Sequence, residues 1–336
     1  MIIGITGGHG FIGSWIRQEA EARGYEVLIL DHKHRGGLLG DVRDPTIVNE
    51  FAAHVDGIIH LAAVLGTAET IDNPLPAANI NILGTLNVFE AADRYRIPIV
   101  YAAVGNSGIG RGTYCITKAC GEEFVKMYRE DRGSIIAAVR PMNAYGPRQS
   151  APAPFGPSKV RKIVPSFVCS ALSDIPMPLY GGGTQISDAV FVRDVAQSFL
   201  KTLEVLKDGQ IPNHPIDIGN LEPVSVRQVA EQIRQEIPSA TIDDLPMRLG
   251  EPHGGPVSSV DVVDRIAEAV QNSVPELNPI DIRRAVKLLG TVVAADPATM
   301  RNVGIEPERF TTLEDGIRVT VDWFRDNQGI TWRFPS

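Results

Sequence analysis

Tyr114 and Lys118 stand four residues apart in Tyr114-Cys115-Ile116-Thr117-Lys118, within a stretch that runs on at helical spacing through Glu123, Phe124 and Met127. One helical turn brings both side chains to the same face. A phenol is a poor base near neutrality because its ordinary pKa is about 10, but a nearby ammonium favours the phenolate. So paired, Tyr114 would remove the proton of an alcohol. A tyrosine and a lysine also fall four apart in many helices by chance, and a second signal is needed.

That signal stands at the start of the chain. Ile2 to Thr6 reads as a short apolar strand running into Gly7-Gly8-His9-Gly10-Phe11-Ile12-Gly13, with a helix-like stretch from about Ser14. Gly7, Gly10 and Gly13 are spaced three apart. A backbone without Cβ atoms turns tightly, approaches a pyrophosphate closely and aims a helix N-terminus at its charge, with Phe11 and Ile12 between the glycines counted among the cofactor-binding residues. This is the pattern of a dinucleotide site. An oxidised nicotinamide ring would add to Lys118 in favouring the phenolate, and would take the hydride that leaves as Tyr114 takes the proton. The next apolar run, Tyr25 to Leu30, ends in Asp31, where a carboxylate accepts both ribose hydroxyls of an adenosine, which favours NAD. His32 and Lys33 follow at once, then His34 and Arg35. Cations there would suit a 2′-phosphate, so NADP stays open, and Asp31 also reads as an ordinary turn carboxylate.

With 336 residues the chain exceeds one average domain and can bury a large core. Its 32 basic against 40 acidic residues give a formal charge of -8, so no basic surface points to nucleic acid or an anionic membrane as partner. Cys115, Cys120 and Cys169 are an odd count without metal-ligand spacing, and no charged-then-apolar leader precedes Ile2, which reads as a cytoplasmic, reduced protein with no bound metal. No apolar run approaches the length of about 20 residues that spans a bilayer.

Apolar runs at Ile2 to Thr6, Glu26 to Leu30, Gly57 to Leu61, Ile99 to Val104 and Ser134 to Arg140 alternate with helix-like stretches. Such alternation predicts a doubly wound parallel α/β sheet of Rossmann type, with the ligand at the carboxyl ends of its strands. From Gly146 to Gly183 prolines and glycines accumulate around a helix-like piece from Val164 to Ser173, as suits a substrate-facing lid. Asp188 to Val205 looks like a strand entering a helix. Val260 to Val270 and Ile280 to Leu289 look helical. The division this suggests is a dinucleotide-binding domain at 1–168, with 188–220 returning to it, and a smaller substrate-binding lobe from 169–187 and 221–336.

Further segments carry a resemblance that covers nearly the whole chain. They are Gly40-Asp41-Val42-Arg43-Asp44, His60-Leu61-Ala62-Ala63, Asn81-Ile82-Leu83-Gly84-Thr85-Leu86-Asn87-Val88 and Arg140-Pro141-Met142-Asn143-Ala144-Tyr145-Gly146-Pro147-Arg148-Gln149. With the glycine fingerprint and Tyr114/Lys118, they resemble the extended short-chain dehydrogenase/reductases, in the nucleotide-sugar epimerase and dehydratase branch. The resemblance implies that Asp41 and Val42 meet the adenine, that Leu61, Ala62 and Ala63 line the cofactor with Asn81, and that Lys118 also touches the nicotinamide ribose. Asn143 would contact a substrate diphosphate, Arg248 would bind phosphate, and Thr67 and Val104 would face the sugar. Each has a plainer alternative: Asp41 a turn residue, the alanines close packing, Asn143 a capped loop end.

Four departures shape the expected chemistry. Relatives end the strand before the tyrosine helix in Ser or Thr, one of which assists the proton's passage, whereas Tyr101-Ala102-Ala103-Val104 has Val104 there, with Asn106 or Ser107 as substitutes or as turn residues. The Asp-Glu pair that runs elimination in the 4,6-dehydratases is missing. Glu69 would be a replacement acid/base, or a solvated loop carboxylate. Ser187 precedes Asp188 where an Arg is usual, and His253 to Thr291 reads as an insertion. The resulting expectation is transient oxidation of a nucleotide-activated sugar, with epimerisation favoured. The alternatives are a dehydratase with other acid/base residues, a catalytically impaired binding protein, or a reductase of a simpler carbonyl. Amphipathic stretches at Asn79 to Tyr95 and Tyr114 to Tyr128 suggest, with the resemblance, a homodimer.

Overall fold

The computed structural model describes residues 1–32, 37–66, 70–105, 112–156, 158–221, 223–246 and 295–327, with residues 268, 271, 272, 278 and 279 between the last two. Contacts divide the chain into two units. The first holds Met1–Pro141, Val192–Ile218 and Thr299–Ile305, and the second Met142–Phe191, Gly219–Ala298 and Glu306–Ser336. This division differs from the boundary expected at 168. The chain leaves the sheet at Pro141, and Tyr145, Phe167 and Val168 share a core with Val229, Ile317 and Phe324 of the second unit.

In the first unit, β1 (Ile2–Thr6), β2 (Glu26–Asp31), β3 (Leu38–Leu39), β4 (Gly57–His60), β5 (Ile99–Ala102), β6 (Ile136–Pro141) and β9 (Ile216–Ile218) form one sheet in the order β3-β2-β1-β4-β5-β6-β9. Every pairing is parallel, with Ile5 beside Ile29 on one side and Ile59 on the other. The five strands expected from apolar runs are present; β3 and β9, two and three residues long, were too short to announce themselves. Parallel strands carry crossover helices on both faces, which is why β4 and β5 are buried along their whole length and read as unbroken apolar runs. Strand order reverses between β1 and β4, the switch point where ligands bind in open α/β sheets.

Helices α1 (Phe11–Ala22), α2 (Pro45–Ala52), α4 (Thr85–Tyr95), α5 (Thr113–Arg132) and α7 (Val192–Lys207) cover this sheet. The strand expected at the start of Asp188 to Val205 gives way to α7, whose apolar stripe is buried from Val192 to Leu206. The stretch expected as a helix from Asn79 begins earlier, with α3 (Leu75–Ala78), and passes through a wider π-helical turn, Asn79–Gly84, before α4. Such bulges re-aim side chains. Here Asn81 is turned inward and fully buried.

The second unit pairs β7 (Met177–Tyr180) with β11 (Ile242–Leu245) in parallel and β8 (Ile186–Ser187) with β10 (Val224–Ser225) antiparallel. Its described helices include α6 (Ile163–Leu172), α8 (Val226–Glu236) and α9 (Leu313–Asp326). The expected insertion and its two helices lie almost wholly outside the described residues. Among those described, no helix is long and apolar enough to cross a membrane, and no cluster of His, Cys, Asp and Glu would hold a metal.

Candidate active site at the carboxyl ends of β1 and β4

The glycine loop is shaped by close approach. Gly7 has φ of 70°, and a Cβ there would stand 2.9 Å from Ala62 N. A Cβ on Gly13 would stand 2.6 Å from Gly7 O and 2.7 Å from Gly8 Cα. Gly10 N donates to Gly7 O at 3.0 Å, and Gly10 opens α1 with no side-chain cap, leaving the first-turn backbone of Phe11 and Ile12 to face an anion. Asp31, buried at the end of β2, accepts from His9 N at 3.0 Å, and the exposed His32 ring lies 3.3 Å from its other oxygen. A buried carboxylate fixed against the loop suits ribose hydroxyls and repels a 2′-phosphate. Lys33 lies outside the described residues.

Asp41 is gripped by Arg43 through Nε at 3.0 Å and Nη2 at 2.6 Å, and those hydrogen bonds hold its carboxyl below the usual range. Val42 is buried, with its side chain against Gly84 and its carbonyl accepting from Asn87 at 3.0 Å. Leu61, Ala62 and Ala63 follow β4, partly open to solvent. Thr6 Oγ1 accepts from Leu61 N at 3.2 Å and Ala62 N at 3.3 Å, so it donates its proton to His60 Nδ1 at 2.6 Å. His60 Nε2–H is then left to donate to Thr85 Oγ1 at 3.0 Å. Burial drives the His60 pKa down to about 3, with Lys118 adding to the effect, and the ring stays neutral. Asn81 is spent inside the protein: its Oδ1 accepts from Val64 N at 2.8 Å, and its Nδ2 donates to Val64 O and Thr117 Oγ1. It clamps the β4 loop to α5.

Tyr114 and Lys118 lie on the first turns of α5, as their spacing predicts, with Tyr114 partly open and Lys118 2% exposed. Burial raises the phenol above its ordinary value and lowers the Lys118 ammonium to about 7, against the opposing pull of Glu122. At neutral pH such a lysine is only partly charged, so it does not by itself make the phenol acidic. Glu122 is held by Arg140 of β6 through Nε at 2.9 Å and a second contact from Nη2, and Asp217 lies 3.4 Å from Nη1. Lys118 Nζ rests 4.1 Å from the centroid of the Tyr101 ring. Sequence reasoning assigned no role to Tyr101, Thr6, Thr85 or Arg140. The visible hint for Tyr101 was a phenol in an otherwise apolar strand.

Val104 follows β5, partly exposed. Asn106, Ser107, Thr67, Glu69 and Arg248 lie outside the described residues. In the second unit, Asn143 has φ of 36° and donates through Nδ2 to Asp188 O at 3.1 Å, and Asp188, fully buried, accepts from Ala295 N at 2.6 Å.

Comparison with known proteins agrees with this geometry. The chain is 29% identical over 260 residues to a Methanocaldococcus jannaschii protein provisionally named a UDP-glucose 4-epimerase, covering 69% of this chain and 81% of that one. It is 28% identical over 284 residues to the UDP-N-acetyl-alpha-D-glucosaminuronate decarboxylase of Bacillus cytotoxicus, covering 74% and 85%. Its fold matches the Thermus thermophilus UDP-glucose 4-epimerase solved with NAD, at a TM-score of 0.74 and 23% identity over 97% of this chain and 99% of that one. Residues 3–219 match the model of the NAD dependent epimerase/dehydratase family. A glycine loop closed to a Cβ at Gly7 and Gly13, a buried carboxylate at the end of β2, a tyrosine and lysine one turn apart and this match over most of the chain agree: the protein belongs to the NAD dependent epimerase/dehydratase family.

Proposed function

We propose that the chain epimerises a nucleotide-activated sugar, acting as an isomerase rather than a lyase. The observation that carries this reading is the placing of Tyr114 and Lys118 one turn apart on α5, in the same unit as the glycine loop and Asp31. Gly7, Gly10, Gly13 and Asp31 would hold the cofactor, with Leu61, Ala62 and Ala63 along its path. Bound NAD supplies a hydride acceptor that can return what it takes. Tyr114 removes the sugar hydroxyl proton. Because burial holds its phenol protonated, that removal depends on positive charge gathered beside it, part of it from Lys118. Asn106 or Ser107 stands in for the hydroxyl that Val104 lacks, and Asn143, Thr67 and Arg248 meet the substrate.

Two features favour epimerisation. No Asp-Glu pair follows Val104 to run an elimination, and UDP-glucose 4-epimerases are among the similar proteins, which points to a uridine nucleotide. We place a second copy of the chain on the face where Leu75, Leu83 and Ile116 are exposed. The test is incubation of the purified protein with UDP-, GDP-, CDP- and dTDP-sugars, with products resolved by NMR. A stereoisomer formed without net NADH is expected. A dehydrated or decarboxylated product, or binding without turnover of every sugar, would overturn the reading.

A further inference from the structure

Tyr101 sits at the centre of an arrangement that packing alone does not require. Its ring is fully buried in β5, stacked on His60 at 6.0 Å and edge-on to Phe89 at 5.5 Å. A phenylalanine would fill that space. Yet the hydroxyl donates to the backbone carbonyl of Lys118 at 3.2 Å, while Lys118 Nζ lies over the ring face at 4.1 Å. One turn further along α5, Gly121 is bare where a Cβ would stand 2.2 Å from the Tyr101 oxygen. The helix thus gives up a side chain to let the phenol reach the turn that carries Lys118.

We propose that Tyr101 is a positioning residue for Lys118, its ring face seating the ammonium and its hydroxyl anchoring the turn of α5 beneath it. An aromatic face stabilises a cation without consuming its N–H donors, as a carboxylate would. Among the described residues, none accepts a hydrogen bond from Nζ. Among the described residues, the titratable groups around this pair are Tyr114, Cys115, Cys120 and Glu122 of α5, Arg140 of β6 holding Glu122 with Asp217 beyond it, and the neutral His60 of β4. Neither α3 nor the Asn79–Gly84 turn, which also pack on α5, carries a titratable side chain. Burial brings Lys118 to about 7, where loss of a weak stabilising partner is readily seen.

The inference rests on the reading of Tyr114 and Lys118 as the reacting pair, but its test needs no substrate. Lysine labelled with carbon-13 at Cε is titrated by NMR in the cofactor-free protein, the Lys118 signal being assigned by its loss in Lys118→Met, and NAD affinity is measured by calorimetry. In Tyr101→Leu the Lys118 midpoint should fall by at least about half a pH unit and NAD bind at least about threefold more weakly. Tyr101→Phe, which keeps the ring, should restore most of both. An unchanged midpoint in Tyr101→Leu, or an equal shift in Tyr101→Phe, would overturn the ring's role. Should Tyr101→Leu fail to fold, Gly121→Ala, which forces the ring aside, must lower the midpoint; no shift there would overturn it equally. A parent protein that turns over no sugar would count against the functional reading alone.

Discussion

Replacing Gly121 by alanine should destabilise this protein, against the general rule for helices. In an ordinary helix interior the change stabilises by about 1 kcal/mol, because alanine is the better helix former. Here the new methyl would stand 2.2 Å from Tyr101 Oη, 2.5 Å from Cζ and 3.0 Å from Cε1, so the ring must retreat by about 1 Å to restore ordinary contact. Little room exists for that retreat, since Phe89 and His60 already pack on the ring. Overpacking of a well-filled core costs about 1–3 kcal/mol, and the lost hydrogen bond to the Lys118 carbonyl adds about 1 kcal/mol. Set against the helix gain, the net loss is about 1–3 kcal/mol. Urea unfolding of parent and variant followed by circular dichroism measures it, and the same substitution in a Tyr101→Phe background should cost less because the closest clash is gone. A Gly121→Ala variant as stable as its parent, or more so, would refute the packing described for Tyr101.

Two further predictions concern buried charge. Burial depresses the His60 pKa to about 3, so between pH 6.5 and 3 the unfolded chain binds a proton that the folded chain refuses. Its stabilising contribution is whole above pH 6.5 and declines as pH falls through that window, by on the order of 4 kcal/mol. His60→Asn should therefore lose less stability than the parent between pH 7 and pH 4.5 in paired urea titrations, and an identical loss would tell against a neutral buried imidazole. If the buried Asp31 carboxylate accepts the ribose hydroxyls and repels a 2′-phosphate, as proposed, Asp31→Ser should weaken NAD and strengthen NADP relative to it. Fluorescence titration with both cofactors decides the point; an unchanged preference would remove Asp31 from cofactor selection.

The sheet was legible because parallel strands buried on both faces leave continuous apolar runs, as in Gly57 to Leu61, and because glycine spacing reports where backbones must meet. The four-residue interval likewise placed Tyr114 and Lys118 on one helix face. What the sequence concealed depends on contacts between distant segments. Asn81 carries donors and acceptors suited to a ligand, and only the π-helical turn shows that they are spent on Val64 and Thr117. The contact division departs from the boundary expected at 168 for a similar reason: prolines after Tyr145 are local, whereas the packing of Phe167 and Val168 with Ile317 is not. Spacing likewise reveals a cation beside Tyr114 but not how deeply that cation is buried, which lowers the Lys118 ammonium to about 7.

The central claim is that the Tyr114 phenol carries the proton of an oxidised sugar alcohol, and Tyr114→Phe tests it most directly. The substitution removes one oxygen and leaves the ring, the glycine cradle and Asp31 in place. Turnover of the nucleotide sugar that the parent uses should fall by about 10²–10⁴-fold, with NAD affinity unchanged within about a factor of three. Turnover equal to the parent's would contradict the account.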